Sequence, residues 1–146
     1  MQAEIVQLPA NEFPLHIESN PMFYPYFKDA LGAFDGTHIA AHVATNLSSL
    51  YRNHKGQISQ NVFAACTFDM YFSYMLAGWE GTAHDSRVLQ DARIKGFHIP
   101  KGKYYLGNTG YELNSYCLTP YRGVRYHLTE HYHSRNKYVY ITTSFC

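Results

Sequence analysis

The feature that most constrains this chain is the order of its apolar segments, which are short and end at glycine or polar residues. Residues 31–34 form an apolar run that stops at Asp35-Gly36 and resumes through Ile39 and Val43. This pattern predicts a buried strand, or a pair of strands, with a polar residue at its interruption.

A hairpin and a helix are predicted next along the chain. Two apolar runs, 62–66 and 70–76, are separated by only a few residues, which predicts an antiparallel hairpin. A helix is predicted from about Thr82, because Thr82 and Asp85 have the spacing of a capping box. Gly96 is expected to end that helix.

A further strand is predicted over residues 103–106, and the polar turn Asn108-Thr109-Gly110 follows it. The predicted order is therefore strand, hairpin, helix and strand, which is typical of an α/β domain. Nucleases of the RNase H-like fold have this order, and in them the first and fourth strands are neighbours. Carboxylates on those two strands can hold a pair of divalent cations.

Composition excludes several classes of protein. The chain has 146 residues, enough for one domain with a core, and 46% of them are hydrophobic. The net charge of +1 is not the strongly positive charge that is typical of nucleic-acid-binding domains. The three cysteines have no CxxC spacing, so no zinc knuckle is indicated. No apolar run approaches the roughly 20 residues that a membrane helix needs, and no signal peptide is expected.

Five segments carry a more specific signal because they occur in series with consistent spacing. They are AFDGTHI (33–39), YRNHKGQISQN (51–61), GWEGTAHDSRVL (78–89), GKYYL (102–106) and LTPYRG (118–123). Together they resemble the motifs of the Harbinger-type DDE endonuclease family, whose members are transposase-derived nucleases. The resemblance runs from about residue 31 to about residue 130.

The resemblance implies a fold and a domain layout. The fold class is α/β, an RNase H-like mixed sheet with flanking helices, incomplete at the C-terminus. Residues 1–29 would be an N-terminal lead-in, residues 30–130 the DDE endonuclease-like domain, and residues 131–146 a divergent tail. The tail resembles a frame change or a truncation.

The resemblance also implies a function: metal-dependent cleavage of DNA phosphodiester bonds by a two-metal mechanism with Mg²⁺ or Mn²⁺. DNA is the implied partner, a separate DNA-binding protein is a second one, and the implied location is nuclear, although no import signal is seen. No membrane association is expected.

The family pattern calls for two aspartates and a glutamate as catalytic residues. Asp35 matches the first aspartate, and Asn108 stands at the position of the second, where it lacks the negative charge. Glu130 is too close to Asn108 to match the glutamate, and no glutamate follows it. Cleavage by this chain is therefore expected to be weak or absent. The alternatives are a catalytically dead nucleic-acid- or protein-binding domain, and a non-functional fragment.

Each candidate site residue has a simpler structural interpretation. Asp35 and Asp85 are the candidate metal ligands, but Asp35 could be a turn residue and Asp85 could satisfy free N–H groups at the helix start. Asn108 is interpreted as a degraded ligand rather than as an ordinary turn residue. Arg52 and Lys55 are candidate phosphate contacts in what could equally be a solvated loop.

Two aromatic side chains near these segments could also contact DNA. For His38, a packed position in a strand is the favoured interpretation. For Trp79, a place in the core is favoured over stacking on a base.

Overall fold

The computed structural model describes residues 15–21 and 23–121. Its elements are α1 (Leu15–Glu18), β1 (Ala30–Ala40), a 3-10 turn (Thr45–Leu47), β2 (Ser59–Cys66), β3 (Phe72–Glu80), α2 (Asp85–Ile94), β4 (Tyr104–Leu106) and β5 (Cys117–Leu118). The tail predicted over residues 131–146 and most of the predicted lead-in lie outside the described residues. No helix in the described part of the chain is long and apolar enough to span a membrane.

The strands form one five-stranded mixed sheet in the order β3-β2-β1-β4-β5. β1 pairs antiparallel with β2, and β2 pairs antiparallel with β3. β4 is parallel to β1, and β5 is parallel to β4. This arrangement confirms the predicted α/β class and corresponds to an incomplete RNase H-like fold, with the first and fourth strands side by side.

Three details differ from the sequence prediction. β1 is one continuous strand that carries Asp35 within it, because its pairing with β2 runs unbroken from Ala33 to Ala40. The prediction of a capping box that starts the helix at Thr82 is wrong, because α2 starts at Asp85. His84 is the N-cap of α2, and its Nδ1 accepts a hydrogen bond from the Ser86 N–H.

The third difference is β5, which the sequence analysis did not predict. It has only two residues, too few for a period-two pattern to be visible.

An aromatic core lies between the sheet and α2. It contains Phe34, Phe63, Phe97, Tyr105 and Tyr111, all of them buried. The rings pack mainly in tilted and edge-to-face arrangements, as aromatic quadrupoles favour. In a strand, residues two apart face the same side, so Gly36 shares the face of Phe34. The start of α2 is thereby directed over Gly36.

Candidate functional site

The parallel pairing of β1 with β4 brings Asp35 and Asn108 together. Ala33 and Leu106 are register partners, and each candidate residue lies two positions beyond its partner. The side chains are in direct contact, because Asn108 Nδ2 donates a hydrogen bond of 2.8 Å to Asp35 Oδ1. The same oxygen also accepts the Gly36 N–H at 2.8 Å.

The other end of the Asn108 amide is equally constrained. Its Oδ1 accepts the Gly110 N–H at 2.7 Å. An amide oxygen only accepts and an amide nitrogen only donates, so these neighbours determine which way the side chain points. The oxygen of Asn108 faces Gly110, and the nitrogen faces Asp35.

Asp85, the first residue of α2, completes a cluster with these two side chains. A Cβ placed on Gly36 would lie 2.6 Å from Asp85 Oδ1, so this carboxylate lies directly against the glycine. A Cβ on Gly110 would lie 3.4 Å from Asp85 Oδ2 and 2.9 Å from Asn108 Oδ1. Asp85 therefore lies between two glycines, one beside Asp35 and one beside Asn108.

Asn61 on β2 holds Asp85 in this position, a role the sequence analysis missed. Its side chain is fully buried, and Nδ2 donates to Asp85 Oδ1 at 3.0 Å and to the Ala83 carbonyl at 3.3 Å. Its Oδ1 is buried without a hydrogen-bond partner among the described residues. Such an atom costs about 1–3 kcal/mol. The only signal in the sequence is a polar amide directly before a buried apolar run.

The electrostatics of the cluster disfavour the ionised form of Asp35. Burial raises the pKa of Asp35 above its ordinary value, and the negative charge of Asp85 raises it further. The hydrogen bond from the Gly36 N–H acts in the opposite direction. Two carboxylates close enough to repel each other attract a cation, for which a proton competes at acid pH.

The three side chains differ in whether they offer an oxygen that could bind a divalent cation. No hydrogen-bond partner occupies Oδ2 of Asp35 or Asp85 in the described part of the chain, so both offer the hard oxygen that Mg²⁺ and Mn²⁺ prefer. Asn108 does not fit as a ligand beside Asp35, because its nitrogen points there. Among residues 15–21 and 23–121, no group of three or more His, Cys, Asp or Glu side chains could hold a metal ion.

Arg52 and Lys55 lie in a compact loop before β2. Arg52 Nη1 donates to the Gly56 carbonyl at 2.7 Å, so the guanidinium is hydrogen-bonded to the loop that carries it. Asn53 organises the turn, because its Oδ1 accepts the N–H groups of Lys55 and Gln57, each at 3.0 Å. Both basic side chains are exposed. Both are therefore accessible to phosphate, and among the described residues neither side chain forms a hydrogen bond or an ion pair with the Asp35 cluster.

The two aromatic candidates make structural contacts. His38 Nδ1 lies 3.1 Å from Ser59 Oγ, so the ring is tied to the neighbouring strand. Trp79 packs against the core, and its Nε1 donates to Asp91 Oδ2 at 2.8 Å. Arg87 lies over the Trp79 ring at 5.5 Å. The contacts of Trp79 agree with its predicted place against the core, whereas His38 is exposed, so the predicted packed strand position is wrong for that residue.

Gly36→Ala tests whether Asp85 lies directly against β1. The φ angle of Gly36 is outside the left-handed region, so the effect of a methyl group is steric. We expect a loss of about 1–3 kcal/mol in the free energy of unfolding, the usual cost of overpacking. Urea unfolding measures this loss. In an Asp85→Ala background the loss should shrink markedly; an unchanged loss would mean that the methyl group meets something else.

Comparison with known proteins identifies the family of the chain. The family described as DDE superfamily endonuclease matches residues 34–140, a range that includes all three side chains of the cluster. The chain is 28% identical over 93 residues to the rat protein named "Putative nuclease HARBI1", covering 62% of this chain and 27% of that protein. It is 28% identical over 110 residues to the Arabidopsis thaliana "Protein ALP1-like", covering 63% and 27%.

The chain thus spans about a quarter of the length of these curated relatives. No solved structure matches it. The family match covers well over half of the chain, from β1 past β5, and the strand order is that of an RNase H-like sheet. The chain belongs to the DDE superfamily endonucleases.

Proposed function

We propose that this domain binds one divalent cation, Mg²⁺ or Mn²⁺, at Asp35 and Asp85, and acts weakly on phosphodiester bonds in DNA. The observation that carries the proposal is that two carboxylates contact Gly36: its N–H donates to Asp35 Oδ1 at 2.8 Å, and Asp85 Oδ1 lies 2.6 Å from where its Cβ would be. Membership of an endonuclease family supports the class of reaction.

Each side chain of the cluster has a distinct part in this proposal. Asp35 and Asp85 would hold the cation, and Asn61 keeps the Asp85 carboxylate directed at Gly36 through its 3.0 Å hydrogen bond. When bound, such a cation supplies positive charge that stabilises the oxygens of a phosphate under attack. Asn108 restrains Asp35 and contributes no charge.

Weak activity follows from the charge of the cluster. A two-metal mechanism needs enough negative charge to hold two cations about 3.5–4 Å apart. The described cluster has two carboxylates, and its third member presents an amide nitrogen. Two carboxylates suffice for one cation, and Mg²⁺ gives up its waters reluctantly.

DNA as substrate, and a nuclear location, are part of the same proposal. Arg52 and Lys55 are exposed in one loop and would contact phosphates. With a net charge of only +1 for the chain, nonspecific affinity for DNA would be low. That favours targeting by a separate DNA-binding protein.

The second candidate function is a DNA- or protein-binding domain that has lost catalysis. The orientation of the Asn108 amide favours it, because that orientation turns a nitrogen, and not an oxygen, toward Asp35. Cation binding without DNA cleavage would select this alternative.

The proposal is tested by calorimetric titration with Mg²⁺ and Mn²⁺. We expect one weak site in the wild type, and Asp35→Asn and Asp85→Asn should each lower its affinity by about 10–100-fold or more. Substituting a residue that only hydrogen-bonds to a metal ligand already lowers metal affinity by about that factor. Asp29→Asn is the matched control, because this carboxylate pairs with Lys103 at 3.1 Å and has no contact with the cluster. Two tight sites, or an Asp35→Asn variant that binds normally, would contradict the assignment.

A further inference from the structure

We propose that the Asn108 side-chain amide takes the place of a cation in this site. It joins the Asp35 carboxylate to the Gly110 N–H through two hydrogen bonds, so that the cluster is held together without metal. This inference rests on the proposed assignment of Asp35 and position 108 to the site of the family. It goes beyond that assignment because it gives Asn108 a structural role, that of holding Asp35, where the assignment gives it only the loss of a metal-binding role.

The first step of the argument is the direction of the amide. Asn108 Nδ2 donates to Asp35 Oδ1 at 2.8 Å while Oδ1 accepts the Gly110 N–H at 2.7 Å. Turning the amide over would place an N–H group against the Gly110 N–H and an oxygen against the Asp35 carboxylate. Both contacts would be repulsive, so only the observed orientation satisfies the site.

The second step is what a carboxylate would meet at the same position. One oxygen of an aspartate at 108 would still accept the Gly110 N–H. Its other oxygen would take the place of Nδ2 and face Asp35 Oδ1 at hydrogen-bond distance. Two ionised oxygens cannot hold that contact in a half-buried site unless a proton or a cation lies between them. The residue at 108 therefore decides whether the cluster requires a bridging charge.

The third step is the whole cluster. Asp85 Oδ1 accepts from Asn61 Nδ2 at 3.0 Å, so each carboxylate of the cluster has one oxygen on an amide donor. Asn61 contacts only one of the two carboxylates. Asn108 occupies the position next to Asp35 at which the family has its second aspartate. Replacing Asn108 alone should thus convert a cluster held by hydrogen bonds into one that depends on a cation.

Asn108→Asp is the direct test, with unfolding as the readout. At pH 7 in EDTA, we expect the variant to unfold at a lower urea concentration than the wild type. Mg²⁺ should restore much of that loss, since a ligand at about 100 times its Kd shifts a folding equilibrium about 100-fold. The wild-type midpoint should move far less at the same Mg²⁺ concentration. A variant no more responsive to Mg²⁺ than the wild type would overturn the proposal.

Two control variants identify the source of the response. Adding Asp35→Asn to Asn108→Asp removes one carboxylate of the pair, so the Mg²⁺ response should disappear. Persistence of the response would place the cation elsewhere and refute the bridge. Asn108→Leu lacks both the donor and the charge, and we expect it to be destabilised with and without Mg²⁺.

A measurement on the wild type keeps the test decisive if Asn108→Asp does not fold. The side-chain NH₂ resonances of Asn108 should show slow exchange in NMR spectra, both in EDTA and with Mg²⁺, because a cation on Asp35 Oδ2 leaves the hydrogen bond from Nδ2 to Oδ1 in place. Fast exchange of these resonances in EDTA would mean that the amide does not hold Asp35, and it would overturn this proposal without bearing on metal binding by the domain. A cation-dependent Asn108→Asp supports the bridge whether or not that variant cleaves DNA, whereas a wild type that never nicks DNA counts against the nuclease proposal alone.

Discussion

In a plasmid-nicking assay with Mg²⁺ or Mn²⁺, the wild-type chain is expected to be slower by orders of magnitude than a repaired chain. The repaired chain carries Asn108→Asp and a family-type helix that supplies the glutamate. Two-metal cleavage needs negative charge to hold both cations and to fix their positions. Loss of one stabilising group from a preorganised site commonly costs about 10²–10³-fold in rate.

Asn108→Asp alone should not restore cleavage, because the described cluster would still lack the glutamate that the family pattern calls for. The same variant is expected to gain a Mg²⁺-dependent stability, so cation binding and cleavage should separate in this single substitution. Only the combined repair should recover both. This difference distinguishes the loss of the cation between Asp35 and position 108 from the loss of the catalytic glutamate.

Asp35→Ala is the control for every nicking measurement, since we propose Asp35 as a cation ligand in both the wild-type and the repaired chain. Any residual nicking that survives Asp35→Ala comes from a contaminating nuclease. Strong metal-dependent nicking by the wild type that Asp35→Ala abolishes would show that two carboxylates are enough, and the proposal of weak activity would be wrong.

Phe34→Ala is expected to cause the largest loss of stability, about 3–5 kcal/mol in the free energy of unfolding. The Phe34 side chain is 2% exposed, and its ring lies 4.8 Å from Tyr111 and 5.4 Å from Phe63 between centroids. Removing it leaves a cavity at the junction of β1, β2 and the segment after β4. A domain of this size has about 5–15 kcal/mol in total, so a large share would be lost.

Urea unfolding measures the effect, and Ile94→Ala provides the comparison. Ile94 lies on α2 with 85% of its surface exposed, and its truncation should stay within about 0.5 kcal/mol of the wild type. Phe34→Leu keeps most of the apolar volume and should fall between the two. A Phe34→Ala variant as stable as Ile94→Ala would mean that the aromatic cluster does not support β1.

Phe34 also connects stability to the site, because Asp35 is its neighbour in the chain. A partly collapsed core should shift β1 against β4 and lengthen the contact between Asp35 and Asn108. A cavity at Phe34 is therefore expected to weaken cation binding even where the protein remains folded. Calorimetry at a temperature well below the unfolding midpoint separates this effect from unfolding.

Most of the strands, and candidate residues for the site, could be predicted from the sequence alone. Apolar runs closed by polar residues predict the β2–β3 hairpin, because strand pairing across a short turn is a local property. Asp35, Asp85 and Asn108 were found through motifs, which are also local in the chain. The start of α2 was misplaced because His84, an uncommon cap, competes successfully with Thr82.

The contacts among these residues depend on the tertiary structure and could not be predicted from the sequence. Asn61 reaches Asp85 because β2 runs beside β1 and α2 begins over Gly36, a contact between residues far apart in the chain. The direction of the Asn108 amide depends on the Gly110 N–H on one side and on Asp35 from another strand on the other. A hydrogen bond is directional, so its partners, and not residue type alone, decide whether position 108 offers a metal an oxygen or Asp35 a donor.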